Sequence, residues 1–247
     1  MYVDDVIITG NDVQGIAKLK QDLDLAFTIK DLGDLTYFLG IEVTRSSTGT
    51  TLQQRKYATD ILMDMGLIAC KPIPFPLPTN LKLSTYSGEF LSQPETYRKL
   101  VGKMLYLNIT RPDMSYAIQH LSQFLSHPRE PHMQAALHLL RYLKGTINTG
   151  LFYPSQTDLA LQGYTDADWG RCMFSRKSIT GYCIFLENSL ISWKTKKQKT
   201  TSKSSAASEY RAMSDTTSEL VWIASILNDL QVPVCYPVIL HCDNKVA

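Results

Sequence analysis

Apolar residues recur at helical spacing in several stretches of the chain and alternate with polar ones in shorter runs. Ile16, Leu19, Leu23 and Phe27, with Val13 ahead of them, mark one helical face. The stretch "DLTYFLGIEVTRSSTGTTLQQRKYATDIL" then reads as a strand, a polar turn, a second short strand and a helix start. Three helices follow between residues 94 and 145. Tyr97, Leu100, Val101, Met104 and Leu105 stripe the first. Met114, Ala117, Ile118, Leu121, Phe124 and Leu125 stripe the second, with Asp113 placed to cap it. Met133, Ala136, Leu137, Leu140 and Leu143 stripe the third, which Gly145 stops. From residue 151 the period shortens. "LALQGYTDADW", "GYCIFLE" and "LISWKT" predict strands, a helix runs from about Ser205 to Leu230, and "PVILHCD" predicts a last strand. The fold class is therefore α/β.

Proline stands at every second position from Pro72 to Pro78 in "KPIPFPLPTN", which predicts an extended connector. It divides the chain into a mixed part over 1–70, a connector over 71–93, a helical part over 94–150 and a strand-rich part over 151–247. With 44% apolar and 19% charged residues among 247, the composition is that of a soluble globular protein. No apolar run approaches a membrane span, and the acidic start does not fit a secretory leader. Five cysteines without a C-x-x-C pair read as reduced thiols of an intracellular, non-secreted protein. His127, His132 and His138 lack zinc-like spacing and are expected on helix surfaces or loops.

The net charge of +2 is unevenly spread. Residues 171 to 203 carry eight basic residues against the single acid Glu187, with Phe174, Tyr182 and Trp193 among them. Such a strip suits phosphate-backbone contact, and a solvated lysine loop is the bland alternative.

Some acids stand where the local pattern selects against them. Asp4 and Asp5 interrupt the β-branched opening "MYVDDVIITG". Glu209 falls in line with Met213, Thr216, Leu220, Ile223 and Leu227, the stripe that should face a sheet. Asp243 ends the apolar run "VILHC", at the strand edge where open α/β sheets place their sites. Asp166 and Asp168, two apart, point to one side of their strand. Asp166, Glu209 and Asp243 can converge, and converging carboxylates repel unless divalent cations such as Mg²⁺ sit between them. The alternative is that Asp166 caps a turn and Glu209 pairs with a lysine such as Lys203.

These blocks resemble a known family. "YVDD" before an apolar strand is similar to the catalytic hairpin of reverse transcriptases, and "IKDLGDLTYFLGIEV" to the following stretch of copia-type retrotransposon Pol polyproteins. "QRKYATDIL", "YRKLVGKMLYLNITRPDMSYAI", "HPREPHMQAALHLLRYLKGT", "GYTDADWGRC", "SITGYCIFLENSLISWKTKKQKTTSKSSAASEYRAM" and "LHCDNKVA" continue the likeness in order. The resemblance implies a reverse transcriptase palm remnant (1–70), a thumb-like helical segment (94–150) and a ribonuclease H-like domain (151–247). It implies Asp4 and Asp5 as polymerase metal ligands and Asp166, Glu209 and Asp243 as ribonuclease H metal ligands, with Asp168 as the reserve for Asp166. Mg²⁺ would be the cofactor. Phe38 and Gly40 would belong to a primer-grip-like hairpin, and Lys194, Lys196, Lys197, Lys199 and Lys203 would lie along an RNA–DNA hybrid or primer-template.

Departures from the family pattern temper the expected activity. The strand bearing a further polymerase aspartate is missing before "YVDD", and a fifth strand and fourth acid are missing after Ala247. In "WGRC" the usual small residue and acid after the tryptophan are replaced. The expectation is a chain with recognisable but incomplete polymerase and ribonuclease centres, inactive alone unless a second chain supplies the missing segments. A non-catalytic nucleic-acid-binding protein is the rival reading.

Overall fold

The computed structural model describes residues 5–79 and 81–244. Leu39 and Gly40 both hold positive φ, 46° and 77°, the pair of left-handed residues that a two-residue hairpin turn requires. They join β1 (Tyr37–Phe38) to β2 (Ile41–Ser46), with Phe38 paired to Ile41. The Tyr106 hydroxyl donates to the Leu39 carbonyl and pins the tip of this hairpin. β2 turns back into β3 (Gly49–Gln53), and the next partner of β3 comes from about a hundred residues later. β4 (Leu151–Pro154) pairs Leu52 with Leu151 and Gly49 with Pro154, completing a four-stranded antiparallel sheet in the order β1-β2-β3-β4. Gly49 admits this neighbour because a Cβ there would stand 2.3 Å from the Tyr153 carbonyl oxygen.

Four helices pack on one another: α2 (Arg55–Asp64), α3 (Pro94–Leu107), α4 (Ser115–Ser122) and α5 (Glu130–Gly145). Ile61, Leu62, Tyr97, Met104, Ile118, Leu121, Leu139 and Leu140 form one fully buried cluster among them. Leu83 is buried in the same cluster, and Leu77, Leu81 and Leu91 pack against it. The proline-rich connector therefore runs along this core, with α2 before it and the bundle after it sharing one interior. Leu105 faces outward and Leu107 takes its place in the stripe. Asp113 does not cap α4. It accepts two hydrogen bonds from Arg111, whose side chain is buried and also donates to Thr146. Burial raises the Asp113 carboxyl, but the Arg111 charge and the Tyr142 hydroxyl outweigh it and hold the group below its usual range.

The helix α1 (Val13–Phe27) forms, with Asp12 accepting from the Gly15 amide, but none of its residues is buried. Residues 1–4 of the expected ribbon lie outside the described residues, and residues 5–10 pair with no strand among the described residues. The expectation that His132 lies on the surface fails. It is fully buried, its ring stacks on Phe124 with centroids 3.9 Å apart, and its Nδ1 accepts from the Arg129 amide.

The second sheet follows the predicted order. β5 (Leu161–Asp168), β6 (Ile179–Leu186) and β7 (Ser189–Lys197) are antiparallel neighbours, and β8 (Ile239–Cys242) lies parallel to β5 at an edge, giving β7-β6-β5-β8. α6 (Ser205–Asp229) begins at Ser204, whose side chain accepts from the Ala207 amide. It lays Glu209, Ala212, Thr216, Leu220, Ile223 and Leu227 against the sheet. Contact is close because Gly163 lacks a side chain: a Cβ there would meet Leu220 at 3.0 Å and Leu240 at 3.3 Å. The Thr216 hydroxyl bridges to that of Thr165 at 2.9 Å, fixing the register of helix on strand.

Candidate metal centre and nucleic-acid face

Alternation along β5 turns Leu161, Gly163, Thr165 and Ala167 toward α6 and leaves Tyr164, Asp166 and Asp168 exposed on the other face. Asp166 is therefore a strand residue and caps no turn. Glu209 sits in the first turns of α6 and is 5% exposed. No basic side chain pairs with it among the described residues, and Lys203 is exposed. Period two on β8 points Leu240 and Cys242 inward, which places the Cys242 thiol 3.8 Å from Glu209 Oε2. Asp243 follows directly. Ligand atoms of Glu209, Cys242 and Asp243 all lie within 4.8 Å of one another.

Asp166 is outside that tight group but within its electrostatic reach. Desolvation and then the charges of Asp243 and Asp168 raise its carboxyl above the usual range. Desolvation and then Asp166 raise Glu209, partly offset by the Ala167 amide. Groups of one sign that disfavour each other's ionised state in this way suit a divalent cation among them. Cys242 was missed by the sequence reading. Its signal was there, since the alternation that buries Leu240 also turns residue 242 inward.

The basic strip divides by strand face. Lys194 and Lys196 are exposed on β7, and Lys199 and Lys203 on the loop before α6. Lys197, expected with them, is on the opposite face and donates to Gln123 Oε1 at 3.0 Å. The loop is held from within by Gln198, 7% exposed, which donates to Thr180 Oγ1 and the Ser208 carbonyl and accepts from the Ser202 hydroxyl.

Residues 1–79 match the family model for reverse transcriptase (RNA-dependent DNA polymerase). The whole chain is similar to the retrovirus-related Pol polyprotein from transposon RE1 of Arabidopsis thaliana, 44% identical over 99% of the chain and 17% of that protein. It is likewise similar to the Pol polyprotein from transposon TNT 1-94 of Nicotiana tabacum, 36% identical over 100% of the chain and 19% of that protein. An uncharacterized mitochondrial protein of Arabidopsis thaliana is 40% identical over 90% of the chain and 92% of its own length. The chain belongs to the copia-type retrotransposon Pol polyproteins. No solved structure matches it.

The chain spans under a fifth of the length of the copia-type polyproteins it matches. Of the residues tied to polymerisation, Asp4 lies outside the described residues and Asp5 is exposed off any strand. Phe38, half-buried, and Gly40 stand at the β1–β2 turn of this copia-type chain, with Gly40 3.7 Å from Tyr106 when a Cβ is placed on it. Among the described residues, that hairpin brings together no acids comparable to those at β5, α6 and β8.

Proposed function

We propose that residues 161–243 form the ribonuclease H-like part of a copia-type Pol polyprotein and act on the RNA strand of an RNA–DNA hybrid. The observation that carries this reading is Glu209, a buried carboxylate without a cationic partner, aimed at Asp243 and coupled to Asp166. Sheet order β7-β6-β5-β8 and the copia-type relatives support it. Asp166, Glu209 and Asp243 would hold Mg²⁺, whose chemistry when bound is to activate water and stabilise the leaving oxygen of a phosphodiester. These side chains would position that cation against the scissile phosphate, and Lys194, Lys196, Lys199 and Lys203 would follow the hybrid's backbone. Residues 1–79, which match the reverse transcriptase family model, would be the palm remnant of the same polyprotein.

The test is hybrid binding and cleavage by purified protein with Mg²⁺ or Mn²⁺. Metal-stimulated loss of the RNA strand, removed by Asp166→Asn, Glu209→Gln or Asp243→Asn, would establish the centre in this chain and overturn the expectation from its sequence that it is inactive alone. Binding that falls with salt but never leads to cleavage would replace it with the second reading, a non-catalytic hybrid-binding protein, which the basic strip supports by itself.

A further inference from the structure

The cluster at the carboxyl end of β5 and β8 is not an all-oxygen site. Cys242 contributes a thiol sulfur 3.8 Å from Glu209 Oε2, and sulfur and both neighbouring carboxylates fit inside 4.8 Å. The thiol cannot swing clear of the acids easily: it is half-buried on a strand whose backbone pairs Cys242 with Thr165, under the helix that carries Glu209. Glu209 itself points into the group 95% buried, with no basic residue to neutralise it among the described residues. A buried anion of this kind calls for a cation in the space it faces.

We propose that Cys242 is a donor in this centre and that the site binds thiophilic divalent cations, zinc and cadmium, more tightly than magnesium. Magnesium prefers oxygen ligands in near-octahedral array, whereas a thiolate with one or two carboxylates suits the softer ions. On binding, the soft cation takes the place of the thiol proton, which leaves to solvent, and a metal–sulfur bond forms. Because Glu209 and Asp243 are shared, a soft ion in place excludes the hard one. Zinc and cadmium are thus antagonists of whatever magnesium supports here. The inference rests on the reading of Glu209 and Asp243 as cation ligands.

The experiment titrates the intact chain with Cd²⁺ and follows the ultraviolet thiolate-to-cadmium charge-transfer band. Mn²⁺ bound to the same protein is followed in parallel by electron paramagnetic resonance. The wild type should develop the band with one equivalent of Cd²⁺ and release Mn²⁺ as it does so. Cys242→Ser should lose the band, keep its Mn²⁺, and need roughly ten- to a hundredfold more Cd²⁺ to release it. Cys235→Ser, which removes the exposed cysteine of the loop before β8, should behave as wild type. Glu209→Gln keeps the thiol and should weaken the band's affinity, a check that does not depend on how Cys242→Ser folds. A band that survives Cys242→Ser, or Mn²⁺ bound with no cadmium band in the wild type, overturns the proposal and leaves the magnesium reading standing. A Cys242-dependent band in a protein that never binds Mn²⁺ upholds the thiol donor and overturns the nuclease reading instead.

Discussion

Replacing Glu209 by glutamine removes a charge from a nearly inaccessible position without changing the side chain's size. The unpaired carboxylate costs desolvation and suffers repulsion from Asp166 and Asp243. Glu209→Gln should therefore raise stability by about 1 kcal/mol in chelator, read as a higher urea midpoint, and abolish stabilisation by Mn²⁺. A drop in the midpoint in chelator would mean that the carboxylate's hydrogen bonds outweigh its charge. At this scale the sequence spoke clearly about type and less clearly about facing. Glu209 was legible because one acid in an apolar stripe is an anomaly by itself. Lys197 and His132 were not: a lysine or histidine is compatible with either face, and only packing decides. Lys197 turned toward Gln123, and His132 found Phe124, the Arg129 amide and the Ser84 carbonyl.

At the level of elements, α6 on β5 is the joint that delivers Glu209. Gly163→Val would push methyl groups into Leu220 and Leu240, already 3.0 and 3.3 Å from a single added Cβ. Such overpacking costs about 1–3 kcal/mol. The helix should lift and the Mn²⁺ binding proposed for the centre should fall with it, while Gly181→Ala, with open space at its Cβ, should leave that binding unchanged. The period-3.6 stripe of α6 and the three short strands before it were readable because local pattern and burial agree. β4 was not, since four residues that look like the start of the second sheet are claimed by β3 through backbone pairing, which carries no side-chain signal. α1 shows the converse. Its apolar stripe is present, yet Val13, Leu19, Leu25 and Phe27 are exposed among the described residues; periodicity sets where a helix forms, and a partner decides whether its face is buried.

Across the whole molecule, charge and protons set two measurable dependences. If Lys194, Lys196, Lys199 and Lys203 touch phosphates, removing any one should lower the slope of log affinity against log salt by about one. Lys197→Ala should leave that slope unchanged because its ammonium is occupied by Gln123. His120 and His132 are both held below their ordinary value of 6.5, by burial first; next, the positive charges of Arg171 and Lys197 lower His120, while at His132 the Ser84 hydrogen bond opposes and Arg129 adds to the lowering. Neutral in the fold but free to charge when unfolded, they favour the unfolded chain once pH falls below about 6.5 and have no effect well above it. The urea midpoint should decline between about pH 7.5 and 5.5. His120→Leu, which removes a ring nitrogen buried without a partner, should flatten that decline.

Pairing of β3 with β4 has a consequence for how the polypeptide is made. Synthesis delivers Gly49–Gln53 long before Leu151–Pro154 leaves the ribosome, so while the intervening residues are made the first sheet stands with one open flank of unsatisfied amides and carbonyls. The four helices between them must collapse first and carry residue 151 back to residue 52. A chain ending just short of Gly150 and freed from the ribosome would hold a formed bundle beside a sticky margin, and adding the few residues of that margin's partner would close it like a clasp.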